Sequence, residues 1–159
     1  MRIMNKLQNK LKKANKDNKG FSLVELIIVI AIMAILVGIV GTQVIPYISK
    51  SKVAKDQQVL NSISTAGVTA YSENGLTGDI TVSVFDTSLT GDAKKVADDI
   101  IAASGFTDLD AFKAALGADG KDDITSITFE VDADAHKATT KVTYSTAPKY
   151  KIKDVTATL

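Results

Sequence analysis

The sequence predicts an α+β chain in which one very long N-terminal α-helix packs on a small antiparallel β-sheet head. Three observations predict it. The run LIIVIAIMAILVGIVG, residues 26–41, holds no charged or strongly polar residue. From Ser49 the pattern turns to an amphipathic helical stripe. Beyond Gly75 short alternating segments between turn residues replace the helical period. At 159 residues the chain has room for one domain beside a membrane helix.

The first element is basic. Residues 1–20 hold seven Lys and Arg against the single acid Asp17, a net +6. Asn5, Gln8, Asn9, Asn15 and Asn18 among them read as a flexible cytoplasmic tail; the alternative is a surface amphipathic helix through Ile3, Leu7 and Leu11. A basic segment before a long apolar one puts the N-terminus in the cytoplasm. From Phe21 to Ile45 only Ser22, Glu25, Thr42 and Gln43 interrupt the apolar character. That length spans a hydrocarbon core of roughly 30 Å as a helix. A secretory signal peptide would have a shorter apolar region, roughly 7–15 residues, with its cleavage site after it. Here the cleavable-looking junction, Gly20-Phe21, lies before the run. Glu25 is the anomaly, because a carboxylate at the centre of a span costs about 2.5–3.5 kcal/mol and somewhat less near an end. It needs a partner that the span does not offer.

The stretch Lys19-Gly20-Phe21-Ser22-Leu23-Val24-Glu25-Leu26, with the run after it, resembles the prepilin signature of type IV pilins and pseudopilins. The resemblance is strong over residues 19–40 and architectural beyond residue 75. It implies the pilin fold, cleavage by a prepilin peptidase after Gly20, N-methylation of Phe21, and an assembly role for Phe21 and Glu25. In that reading Glu25 pairs with the Phe21 amine of a neighbouring subunit; burying either charge alone is costly, so the pair favours one axial register. A headgroup-level acid suiting the helix dipole is the plainer alternative. The resemblance also implies a homopolymer, an assembly platform protein and a cytoplasmic assembly ATPase as partners. The chain has no cysteine, so there is no disulfide framework or Cys-ligated metal, and within the family this favours the Gram-positive branch.

The helix is expected to run on past the membrane. Pro46 removes a backbone donor and predicts a kink or local melting, with Gly38, Gly41 and Thr42 adding flexibility upstream. Family members carry that proline earlier, at the position of Thr42, and often a glycine at that of Ala34. Close helix packing is the other reading of Gly38 and Gly41. Val53, Leu60, Ile63, Gly67 and Ala70 make the amphipathic stripe, widened by Val59, Ala66 and Tyr71. Lys50, Lys52, Lys55, Asp56, Gln57 and Gln58 lie at its membrane-proximal end, where the lysines either meet lipid headgroups or form a solvated face. Gly75 suits a left-handed cap.

The head follows. Ile80–Phe85 reads as a strand, residues 92–104 as a helix with Val96, Ile100 and Ile101 inward, and Leu109–Leu116 as a short helix with a capping box at Thr107. Ile124–Val131 and Ala138–Tyr144 read as two strands around a turn, and Tyr150–Thr156 as the last strand. The expected organisation is a cleaved leader (1–20), a transmembrane or filament-core helix (21–48), an amphipathic helix (49–74), and a head (75–159) with a connecting region over 87–119.

Little in the head carries chemistry. His136 is the one histidine, in a turn. Asp119, Asp122 and Asp123 miss the EF-hand spacing and its distal glutamate. Asp132 and Asp134 read as turn residues, and no nucleophile-elbow pattern occurs. No catalytic residue, metal or cofactor is expected, and a mature charge of about −5 argues against a specific nucleic-acid partner. The sequence therefore reads as a major type IV pilin, a non-enzymatic subunit. It would be a single-pass membrane protein first and an extracellular pilus afterwards, serving adhesion, twitching motility or DNA uptake. A minor pilin or a pseudopilin of a type II secretion or competence system is the alternative within the family. A signal-anchored monomer with an extracytoplasmic binding domain is the alternative outside it.

Overall fold

The computed structural model describes Met4 and residues 20–159; the tail and its alternative surface helix lie outside the described residues. The chain divides into two compact units, Met1–Val44 and Ile45–Leu159. Helix α1 covers Leu23–Glu73, 51 residues. Pro46 sits inside it without ending it, so the expected local melting is absent. One missing donor removes a single bond while the others of the ladder remain. At its C-terminus Gly75 takes φ 65°, and its N–H reaches Ser72 O at 3.0 Å while Leu76 N–H reaches Tyr71 O at 3.3 Å. This is the left-handed cap expected there.

In the second unit, four antiparallel strands lie in the order β1 (Ile80–Ser83), β2 (Ile124–Asp132), β3 (Lys137–Tyr144) and β4 (Val155–Thr158). The register puts Val82, Phe129, Thr140 and Val155 on one rung, and Ile80, Val131, Ala138 and Ala157 on another. These rungs face the core. The intervening rungs, Thr81-Glu130-Thr139-Thr156 and Ser83-Thr128-Lys141, form the polar outer face, where Lys141 pairs with Glu130. Alternation of this kind is what one buried face demands.

Helix α2 (Gly91–Ser104) buries Val96, Ala97 and Ile100, and Gly105 closes it at φ 77°. Ile101, expected inward, is half-buried. Helix α3 (Leu109–Ala115) buries Phe112, which packs edge-on to Phe106 at 5.5 Å and near Phe85 at 6.2 Å. Its cap is Asp108, not Thr107: Ala111 N–H donates to the Asp108 carboxylate at 2.7 Å, and that bond lowers the carboxyl's pKa. β1 stops at Ser83, two residues early, because Asp86 accepts from Ser88 N–H at 2.8 Å in a tight turn. The last strand is later and shorter than expected. Ile152 N–H donates to the Tyr144 phenol oxygen and Lys153 N–H to the Gln57 amide oxygen, both at 2.9 Å, so these donors are unavailable to a ladder. Burial raises the pKa of the Tyr144 phenol, which stays neutral at ordinary pH.

The inner face of α1 follows a spacing of three and four through Val53, Asp56, Leu60, Ile63, Gly67 and Ala70. Leu60 and Ile63 are fully buried. Gly67 lies against Phe129 so closely that a Cβ there would fall 2.5 Å from two ring carbons. Asp56, grouped by sequence with the solvated residues, is 2 % exposed. Its two carboxylate oxygens accept Gly117 N–H at 2.9 Å and Ala118 N–H at 2.7 Å. One turn away Lys52 reaches Asp119 at 3.4 Å, and Gln57 both donates to and accepts from the Lys153 backbone at 2.9 Å. These polar side chains tie the loop after α3 and the C-terminal segment to the helix.

Two substitutions test this packing. Gly67→Ala should destabilise the detergent-solubilised full chain by about 1–3 kcal/mol through overpacking, outweighing a helix-propensity gain of about 1 kcal/mol. A raised urea midpoint would show that the ring gives way freely. Asp56→Ala strands two backbone donors and should cost about 2–4 kcal/mol; an unchanged midpoint would remove the clamp from the account.

Candidate processing and assembly site

Gly20 precedes α1 in non-helical backbone, exposed, with open space where a side chain would stand. Phe21 is 83 % exposed. Among the described residues nothing covers the Gly20-Phe21 bond.

The next four residues close the helix end. Ser22 O accepts Leu26 N–H at 3.1 Å, the first intrahelical bond, which makes Ser22 the N-cap. Its hydroxyl oxygen accepts Val24 N–H at 3.3 Å. The Glu25 carboxylate reaches back to Ser22 N–H at 2.8 Å. Ser22-Leu23-Val24-Glu25 is therefore a variant of the capping box: Glu25 takes the Ser22 donor as in the standard motif, while the Ser22 hydroxyl takes the Val24 donor in place of that of Glu25. The pattern S-x-x-E was present in the sequence and is the signal that identifies Ser22. Among the described residues no cation lies within ion-pairing distance of Glu25. The box satisfies a donor; it does not neutralise the charge.

From Leu23 to Val44 every side chain is exposed. This run makes α1 the one helix among the described residues long and apolar enough to cross a membrane. Thr42 hides its hydroxyl by donating back to Gly38 O and Ile39 O, each at 3.2 Å, as a hydroxyl on an apolar helix must. Gly38 and Gly41 have open space beside them.

The remaining polar candidates stand apart from one another. Asp119 pairs with Lys52, while Asp122 and Asp123 sit on a 3-10 turn, Lys121–Asp123. Asp132 accepts Ala135 N–H at 2.9 Å in the β2–β3 turn, where His136 adopts φ 50°. Among the described residues, no three acids or histidines gather as a metal site would require.

Comparison with known families adds one finding. Residues 15–41 match the family described as the prokaryotic N-terminal methylation motif. Neither a curated protein nor a solved structure matches the chain. The matched residues include the Gly20-Phe21 junction, the capping box with Glu25, and the apolar run. Residues 15–41 thus carry a class III signal segment of the type IV prepilin kind, shared by pilins and pseudopilins, on an α+β chain whose long apolar helix and four-stranded sheet are consistent with the pilin fold.

Proposed function

We propose that this chain is the major subunit of a type IV pilus, a structural protein that polymerises through its apolar N-terminal helix. The observation that carries the reading is the methylation motif over residues 15–41, on a helix whose apolar side chains are bare. In this reading residues 1–20 are a leader, residues 21–48 the membrane and filament-core helix, 49–74 the amphipathic helix, and 75–159 the head with 87–119 connecting. A prepilin peptidase cuts after Gly20 and methylates Phe21. A platform protein and a cytoplasmic ATPase then drive subunits from the membrane into an extracellular filament. Pro46 supplies the helix kink. Adhesion, twitching motility and DNA uptake are the uses such a filament serves.

Cleavage changes the electrostatics of the capping box. It creates an ammonium at Phe21, one helical turn from the Glu25 carboxylate. In lipid or in a filament core each charge is costly alone, and together they are far less so. Pairing with the amine of an adjacent copy therefore rewards one axial register. The hydrogen bond to Ser22 N–H preserves the aim of the carboxylate without consuming both of its oxygens.

Intact mass and N-terminal sequencing of protein sheared from cells should give a chain starting at methylated Phe21. Gly20→Leu should leave the full-length precursor in the membrane; mature-size protein from that variant would count against recognition of this junction. Glu25→Gln separates the two roles of the carboxylate. It retains an acceptor for Ser22 N–H but carries no charge. If pairing drives assembly, Glu25→Gln and Glu25→Ala should both insert normally yet form few filaments; abundant filaments from Glu25→Gln would leave capping as the only role.

A further inference from the structure

We infer that the end of the second unit carrying Lys50, Lys55, Lys149, Lys151 and Lys153 is a basic collar that binds the phosphate headgroups of anionic phospholipids. The inference rests on the membrane-inserted reading of the precursor and goes beyond it to a surface that the signal motif does not describe.

Lys50 and Lys55 are exposed at the start of the amphipathic half of α1. Lys149, Lys151 and Lys153 are exposed too, alternating with half-buried Tyr150 and buried Ile152. Nearly a hundred residues separate the two groups in sequence, yet the fold joins them. Gln57 holds the Lys153 backbone by two bonds of 2.9 Å. Gly120 seats Pro148 so closely that a Cβ would lie 2.6 Å from its ring. The lysines therefore share one end of the second unit.

Two of the five acids at this end are engaged. Asp56 is buried on backbone donors, and Asp119 is taken by Lys52. Asp122, Asp123 and Asp154 remain beside them. Among the described residues, Lys50, Lys55, Lys151 and Lys153 enter no salt bridge, and Lys149 lies over the Tyr150 ring at 5.4 Å. At the far end of this stretch of α1, roughly 35 Å away at 1.5 Å per residue, stands Glu73; next to it Asn74 binds Asp99 at 2.7 Å. At the near end five lysines thus stand against three unengaged acids, although the mature chain is acidic overall.

Continuity fixes the occupant. Ile45, Tyr47 and Ile48, all exposed, directly precede Lys50. An apolar span, then an exposed tyrosine, then lysines is the order in which hydrocarbon, interface and charged headgroups are met on leaving a bilayer. Clustered lysines at that depth attract anionic lipid and lose that attraction beyond a Debye length, about 10 Å at ordinary salt. An acidic surface of a second copy is the competing occupant.

The test uses the full chain in vesicles of phosphatidylcholine, with or without phosphatidylglycerol. Flotation checks insertion, and a membrane-impermeant amine reagent read by mass spectrometry reports each lysine. Phosphatidylglycerol should lower labelling of Lys50, Lys55, Lys149, Lys151 and Lys153 by roughly fivefold, reversibly in high salt, and leave Lys94 and Lys137 unchanged. The double variant Lys151→Gln, Lys153→Gln should lose the protection of Lys149. Equal labelling in both vesicles, with the chain afloat, overturns the collar alone. Protection that follows protein density instead of lipid charge assigns the surface to a second copy and overturns it too. A chain that floats with neither vesicle overturns the membrane reading and the collar together.

Discussion

The structure depends on one constraint: α1 carries apolar side chains along its whole length, all round in its first half and as a stripe in its second, but has a head to cover only that second half. There the chain solves its own problem. Leu60 and Ile63 disappear beneath the sheet, and Gly67 allows the Phe129 ring to lie against the helix backbone. Glycine in a helix costs about 1 kcal/mol relative to alanine, so its presence there is explained by the packing it permits. The first half has no such cover. Its leucines, isoleucines and valines are bare, an arrangement that water penalises and that lipid or like helices remove.

Two carboxylates on this helix show how the same group is handled in the two halves. Glu25 and Asp56 each accept backbone N–H groups, and neither has a described cation within ion-pairing distance. Asp56 accepts from two donors, one per oxygen, on a loop it fixes in place. Its bonding is complete inside the molecule. Glu25 accepts from one, at an exposed helix end, leaving an oxygen and a full charge unspent. The buried acid is a fastener, whereas the exposed one keeps capacity for a further partner.

What the sequence made legible follows from the range of the interactions involved. The apolar span, the Gly20-Phe21 junction and Glu25 are local in sequence, and spacing alone exposed them. The sheet was legible as well, because alternation over Ile124–Val131 and Ala138–Tyr144 records one buried face. Asp56 was misread because its donors lie 61 and 62 residues away. Even so, its place on the three-and-four spacing between Val53 and Leu60 marks an acid in a core position. The last strand was misplaced for the same reason: Gln57 and Tyr144 capture donors of Ile152 and Lys153 that an alternating pattern assigns to a ladder. At α3 the error was one residue, since Thr107 and Asp108 are both good caps and only the geometry selects between them.

If the first half of α1 passes from lipid to a bundle of its own kind, hydrophobicity does not drive the transfer, because lipid tails are as apolar as leucine. Selection must then come from close packing and from polar groups. The features of this segment that do nothing for the isolated chain are the ones suited to that task. Gly38 and Gly41 relieve no crowding, since the space beside them is open; as small residues they instead let another backbone approach. Thr42 folds its hydroxyl onto its own helix and presents a methyl outward, so it adds no unsatisfied group to a dry interface. Glu25 alone retains a charge that an apolar bundle cannot tolerate unpaired. In such a bundle register would fall to the carboxylate, and intimacy of contact to the glycines. The long aliphatic run between them supplies area that is indifferent to which of its neighbours is lipid.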